Sequence, residues 1–304
     1  MTSRDHRVTG QRAAKKASRR GPRSVGRCSV PDDAVRTVTC DLTFAVEEPT
    51  EVVLQVAASA TAGRVMEESF DVVAGDGGAA SVTEVGDPQG ARIHIIDAPT
   101  GPLTVAYRAR IEAREPTRTA LPSALYERQV YLRPSRYCPS DHLIGFAAAQ
   151  FGTGPDAGAR VAAITRWIRQ RIGYVPGSSS VHDSAEDTLL TGMGTCRDFA
   201  HLGIALCRAT GVPARFAAVY APGLLPMDFH AVFEACEHGR WYVYDSTGLA
   251  PRSSLVRIVT GRDAADAAFA ATTRGSAQLL GIEVSATVAG MLPTEDFSWS
   301  VEMA

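Results

Sequence analysis

Between Thr37 and Glu48 the chain reads TVTCDLTFAVEE, with apolar Val38, Cys40, Leu42, Phe44 and Val46 on every second position. That period of two predicts a half-buried strand. VVLQV at 52–56, FDVV at 70–73, RIHII at 92–96 and LTVAYRARI at 103–111 continue in the same manner, separated by turn-forming GDGG and GDPQG. Short strands without helical periodicity predict a β-sandwich over 36–115. Residues 115–140 carry mixed polar and aromatic character and read as a connector. Then the period changes. GARVAAITRWIRQRI places Val161, Ile164, Trp167, Ile168 and Ile172 at spacings of three and four, one face of a helix. GYVPGSSS reads as a loop and SAEDTLLTG as a short capped helix. Strands are predicted at 213–220, 229–236 and 240–246. A short helix, GRDAADAAFA, and a last strand, LLGIEVSATV, are expected to close this second unit. Helices followed by an antiparallel sheet make it α+β.

The chemistry gathers around GMGTCRDFAHLGIALCRATGVPARF, residues 192–216. Thr195 and Asp198 have the spacing of a capping box, and Phe199, Leu202, Gly203 and Leu206 form one apolar face. Gly211 before Val212-Pro213 ends the helix. Cys196 therefore falls in the first turn, where unpaired N–H groups and the helix dipole favour a thiolate. Cys207, well inside the helix, reads as a small buried hydrophobe. A thiolate nucleophile needs a base, and the base an orienting partner. FHAVFEAC supplies His230 and RWYVYDST supplies Asp245, with EHGR as the turn between them. An even loop such as His238-Gly239 pairs residues whose numbers sum to 477 and puts Asp245 opposite Val232, on the face of His230. An odd loop without a bulge puts Asp245 on the other face. Asp245 has a second reading, as a turn cap within DSTG. His201 lies roughly 140° around the helix from Cys196 and is a poor partner for it.

GTCRDFAHL, GVPARF, DFHAVFEA and RWYVYDSTG, in that order, resemble the bacterial transglutaminase-like family within the papain-like thiol enzymes. YLRPSRYCPSD, SAEDTLLTG and GRDAADAAFA are similar to segments of the same family. The resemblance covers about residues 120–290, with the preceding β domain as the family's usual partner. It implies a catalytic domain over 116–290 in which a Cys-bearing helix packs on an antiparallel sheet. It also implies Cys196 as nucleophile, His230 as general base and acid, and Asp245 as the residue orienting His230. The implied activity is thiol-dependent amide or peptide hydrolysis, or acyl transfer, through a thioester acyl-enzyme. Peptide or protein amides are the implied substrates, and no cofactor or metal is implied. Two other readings stand beside it: a non-catalytic peptide- or protein-binding module that keeps the cleft, and an arylamine acetyltransferase-like enzyme with the same residue order. A zinc site of Cys196, His201 and His230 lacks the short ligand spacings such sites use.

Composition adds bounds. The 304 residues are 45% hydrophobic, with six cysteines and no CxxC pair, which excludes a zinc ribbon or a disulfide scaffold. Reduced thiols in the cytoplasm are the simpler expectation. The net charge of −2 hides a basic head: residues 1–27 hold nine Lys/Arg against Asp5 alone. The head, within a tail over 1–35, is expected to be disordered, and it is the one part suited to nucleic acid. Arg19-Arg20 lacks the apolar stretch of an export signal, and no run is long enough to span a membrane. Residues 291–304 read as a C-terminal tail.

Overall fold

Val35–Val46 forms one continuous strand, β1, with Val38, Cys40, Leu42, Phe44 and Val46 all buried, as the alternation requires. The computed structural model describes residues 34–75, 80–114 and 121–303; the basic head lies outside the described residues. β1 pairs antiparallel with β6 (Gly101–Glu112) on one edge and β14 (Ala277–Val288) on the other, and β3 (Arg64–Ala74) completes the order β14-β1-β6-β3. A second antiparallel sheet runs β13 (Ala270–Arg274), β2 (Thr50–Leu54), β5 (Arg92–Ala98) and β4 (Ser81–Gly86). Leu42, Leu54, Ile96 and Leu103 from the two inner faces share one core, which makes this part a β-sandwich.

Two of its eight strands among the described residues correct an expectation. LLGIEVSATV was expected to close the second unit, within 116–290; instead it runs along β1 from Arg36↔Val288 to Val46↔Ala277. β13 likewise pairs with β2. After β6 the chain builds the second unit and then returns to finish both sandwich sheets. Alternation along a strand fixes which side chains turn inward, but it does not name the strand's partner.

The second unit contains five helices among the described residues: α1 (Leu121–Val130), α2 (Ile144–Phe151), α3 (Ala157–Arg171), α4 (Ala185–Thr191) and α5 (Cys196–Ala209). Its antiparallel sheet has the order β11-β10-β9-β12, from β9 (Ala214–Tyr220), β10 (Phe229–Glu237), β11 (Arg240–Tyr244) and β12 (Val256–Gly261). A short parallel pair, β7 (Gly173–Tyr174) and β8 (Met193–Gly194), lies just before α5. The expected faces are present: Val161, Ile164 and Ile168 of α3 are buried, and Ser184 caps α4 through a capping box with Asp187. The connector at 115–140 contains α1, which its mixed composition concealed. GRDAADAAFA is not a helix. Asp263 Oδ1 accepts from Ala265 N at 2.9 Å, and Ala264 N donates to His201 Nε2 at 3.1 Å. Backbone N–H groups engaged this way are withdrawn from a helical ladder.

α5 is the centre of this unit. It packs against β9, β10, α2, α3 and α4, so every residue from Asp198 to Arg208 is buried rather than one face. Gly203 permits the closest approach, since a Cβ there would come within 2.5 Å of the Phe233 ring on β10. Gly203→Ala must therefore push α5 off the sheet. The expected outcome is a loss of about 1–3 kcal/mol in denaturant unfolding, together with lower activity as the start of α5 moves away from β10. A variant as stable as the parent would contradict this packing.

The two units share one continuous core. Tyr220 Oη donates to Val56 O at 2.8 Å, and Ser59 N donates to Arg257 O at 2.8 Å. The C-terminal residues, expected as a tail over 291–304, pack instead on the β11 edge of the second unit's sheet. Val243 N of β11 donates to Val301 O at 2.8 Å, and Val301 and Met303 are buried. Isolated apolar residues at the end of a chain carry no period, so this docking had no local signal.

Candidate active site

Thr195 and Asp198 form the expected capping box. The buried Asp198 carboxylate accepts from Thr195 N at 2.7 Å and from Thr195 Oγ1 at 2.9 Å. It also gathers groups the sequence did not assign to it. Ser179 Oγ donates to Oδ2 at 2.5 Å and Arg197 to Oδ1 at 2.9 Å, while Arg197 also donates to Ser180 O at 2.5 Å. Burial alone would raise the Asp198 carboxyl, but the bonds from Ser179, Thr195 and Arg197 hold it below the usual range. The loop PGSSS is thereby tied to the start of α5.

That start carries Cys196 as its first residue, half-buried against the core. A first-turn N–H has no partner within the helix, so the Cys196 amide is open to an incoming oxygen. The other described thiols are placed differently: burial pushes Cys40 and Cys138 up to about 12, and raises Cys207 and Cys236. β7 and β8 pair Tyr174 with Gly194, two residues before Cys196. Tyr174 is 41% exposed, with its ring 5.9 Å from that of Phe199. Partial burial and then the neighbouring Cys196 and Asp228 push its hydroxyl up to about 12. At neutral pH it is a donor. A lone Tyr after a helix gives no sequence signal for this.

The β10–β11 hairpin pairs Phe233 with Tyr244 and Glu237 with Arg240, each pair summing to 477, around the two-residue loop His238-Gly239. Both loop residues have positive φ, 50° and 80°, the primed turn that suits the strand twist. The register puts Asp245, just past β11, diagonally beside His230. His230 Nε2 and Asp245 Oδ2 are 3.0 Å apart and both side chains are about 1% exposed. The other carboxylate oxygen, Oδ1, accepts from Thr247 N at 2.8 Å and Thr247 Oγ1 at 2.6 Å. Turn cap and histidine partner are thus one residue using two oxygens. Burial alone would lower His230; the Asp245 carboxylate outweighs it, with a smaller contribution from Cys196, and the imidazole is raised to about 10. Asp245 is held low by His230 and Thr247 against the opposing effect of burial. Cys196 sits near enough to favour the charged ring, while Nδ1 makes no aligned hydrogen bond among the described residues.

The other candidates fall elsewhere. His201 is buried, stacked 5.1 Å from Tyr137, and lowered to about 3 by burial. It is a core histidine whose Nε2 already accepts from Ala264 N, which leaves the Cys196, His201 and His230 zinc reading without its second ligand.

A helix opening with a cysteine, packed on an antiparallel sheet that holds a bonded His–Asp pair, defines a papain-like α+β fold. A family model of the transglutaminase-like superfamily matches residues 145–246. The crystal structure of a "Putative Cysteine Protease" from Cytophaga hutchinsonii is 35% identical, covers 87% of this chain and 94% of its own, and superposes with a TM-score of 0.78. An uncharacterised Mycobacterium leprae protein is 29% identical over 145 residues, 45% of this chain and 52% of that protein, so the matched stretch spans about half of that relative. The chain belongs to the transglutaminase-like superfamily. This membership supports a cysteine-based hydrolase or transferase. Among the described residues no helix is long and apolar enough to cross a membrane.

Proposed function

We propose that Cys196, His230 and Asp245 form a catalytic triad that cleaves a peptide or protein amide through a thioester acyl-enzyme. The observation carrying this reading is the buried His230–Asp245 bond beside a cysteine at a helix start. Because Asp245 engages Nε2, the imidazole is left with Nδ1 to exchange a proton with the thiol. The sulfur attacks the carbonyl carbon, and the C=O pair moves onto oxygen, stabilised by the Cys196 N–H. His230 then protonates the amine as the C–N bond breaks. Water, deprotonated by His230, attacks the thioester and releases the acid and the free thiol. An amine in place of water would give transamidation. Proton transfer of this kind accounts for about 100- to 10,000-fold in rate. The family, and the similarity to the Cytophaga cysteine protease, support an amide substrate.

The test uses p-nitrophenyl acetate as an activated acyl donor. Wild type is expected to release a burst of nitrophenolate and to carry an acetyl group on Cys196, mapped by peptide mass spectrometry. Cys196→Ala should lack the adduct and lose about 1,000-fold or more in rate. An adduct on another cysteine, or an unchanged burst in Cys196→Ala, would overturn the proposal.

A further inference from the structure

The ladder that fixes β11 ends at Tyr244, so strand pairing does not hold the backbone of Asp245. Another contact does. Arg169, in the last turn of α3, donates from Nη2 to Asp245 O at 2.7 Å, with its Nε 3.4 Å from Ser246 O. The guanidinium also stacks on the Phe297 ring, with Cζ 3.6 Å from the centroid. Phe297 belongs to the C-terminal segment, and that segment is firmly held. Arg252 donates to Glu295 Oε1 at 2.9 Å and to the carbonyls of Asp296 and Trp299 at 3.0 Å. Beyond it, Arg240 pairs with Glu302 at 2.9 Å. Gly248 completes the enclosure, since a Cβ there would meet both Phe297 and Arg169 within 3.5 Å.

We propose that Arg169, clamped by Phe297 of the C-terminal segment, is a positioning residue that sets the Asp245 carboxylate against His230. Thr247 fixes the carboxylate and Arg169 fixes the main chain that carries it. The two together leave Oδ2 one orientation. A planar guanidinium can donate to adjacent carbonyls while presenting a face to an aromatic ring, which an ammonium cannot do. Residues 295–299, far from Cys196 in sequence, thereby reach the proposed triad through one side chain. This rests on the triad reading only for its catalytic consequence; the positioning itself is read without substrate.

The experiment follows the His230 ring by carbon–proton NMR in chains with labelled histidine, assigned with His230→Gln, for wild type, Arg169→Met, Arg169→Lys and Phe297→Leu. Wild type is expected to titrate at about 10. Arg169→Met should lower the midpoint by about one unit or more, a tenfold loss of proton affinity. Phe297→Leu should lower it in the same direction, and Arg169→Lys should recover part of the loss. In the p-nitrophenyl acetate assay kcat should fall more than KM rises. Phe297 is 47% exposed, so its truncation keeps the fold and decides the matter should Arg169→Met fail to fold. Unchanged midpoints in the folded variants would overturn the positioning role while leaving the triad proposal standing. Lowered midpoints in an enzyme that never acetylates Cys196 would support the positioning role and overturn the triad proposal instead.

Discussion

Asp245→Asn is expected to drop His230 from about 10 to below its ordinary 6.5 and to lower turnover at pH 7 by about 1,000- to 10,000-fold. The two effects have one cause. His230 is almost completely buried, and a buried imidazolium is disfavoured unless a charge faces it. Asp245 supplies that charge at 3.0 Å. The amide keeps the size and the Thr247 contacts but removes the charge, so burial alone sets the proton affinity. Without the carboxylate the ring takes the thiol proton less readily and the imidazolium that protonates the leaving amine is no longer stabilised. The sign for stability is fixed as well. A histidine raised in the folded state stabilises fully below about 6.5, and that contribution is lost as pH rises toward about 10. Unfolding of wild type should therefore become easier across that alkaline window, and Asp245→Asn should lose the dependence. NMR titration of the ring, with stability measured from pH 6 to 10, reads both. A midpoint left near 10 in Asp245→Asn would refute the electrostatic account.

Glu234→Gln is expected to destabilise the protein by about 3–5 kcal/mol. Glu234 is fully buried four residues beyond His230, on the same side of β10 by alternation. Its carboxylate accepts from Arg215 Nε at 2.7 Å and from Arg257 at 2.8 Å through both oxygens. Arg257 also donates to Met303 O at 2.9 Å, joining the C-terminal segment to the same cluster. Burial would raise Glu234, but the two guanidinium groups hold it at about 2. Neutralising the anion leaves two buried cations facing each other. For a carboxylate depressed in the folded state, the contribution is present above the ordinary 4.5 and is lost as pH falls toward about 2. Urea unfolding at pH 7 and at pH 3 distinguishes the cases: the gap between wild type and Glu234→Gln should be wide at pH 7 and narrower at pH 3. A gap under about 1 kcal/mol at pH 7, the size of an exposed ion pair, would refute it.

Much of this site was legible in one dimension because it is built from local rules. Thr195 and Asp198 stand three apart, the reach of one helical turn, so the start of α5 and the position of Cys196 follow from spacing. The two-residue loop His238-Gly239 determines the register, and the register determines which face Asp245 takes. Long-range partners were less accessible. The alternation of 279–288 is real, but a strand pattern is the same whichever sheet receives it. Asp263 and Ala264 have helix-like neighbours, yet His201 and Tyr137 draw their polar groups elsewhere. Asp198, His201 and Arg208 are each buried because a distant partner meets them.

Sequence by itself determined the Cys-bearing helix, the hairpin that aligns His230 with Asp245, and the three side chains of the proposed triad. These depend on interactions between residues a few positions apart, whose geometry the backbone fixes. Tertiary structure alone decided that β13 and β14 complete the sandwich, that Tyr174 lies beside Cys196, and that Arg169 and Phe297 hold the main chain of Asp245. Those contacts join residues separated by tens or hundreds of positions, and their energies exist only once the chain has closed around a shared core.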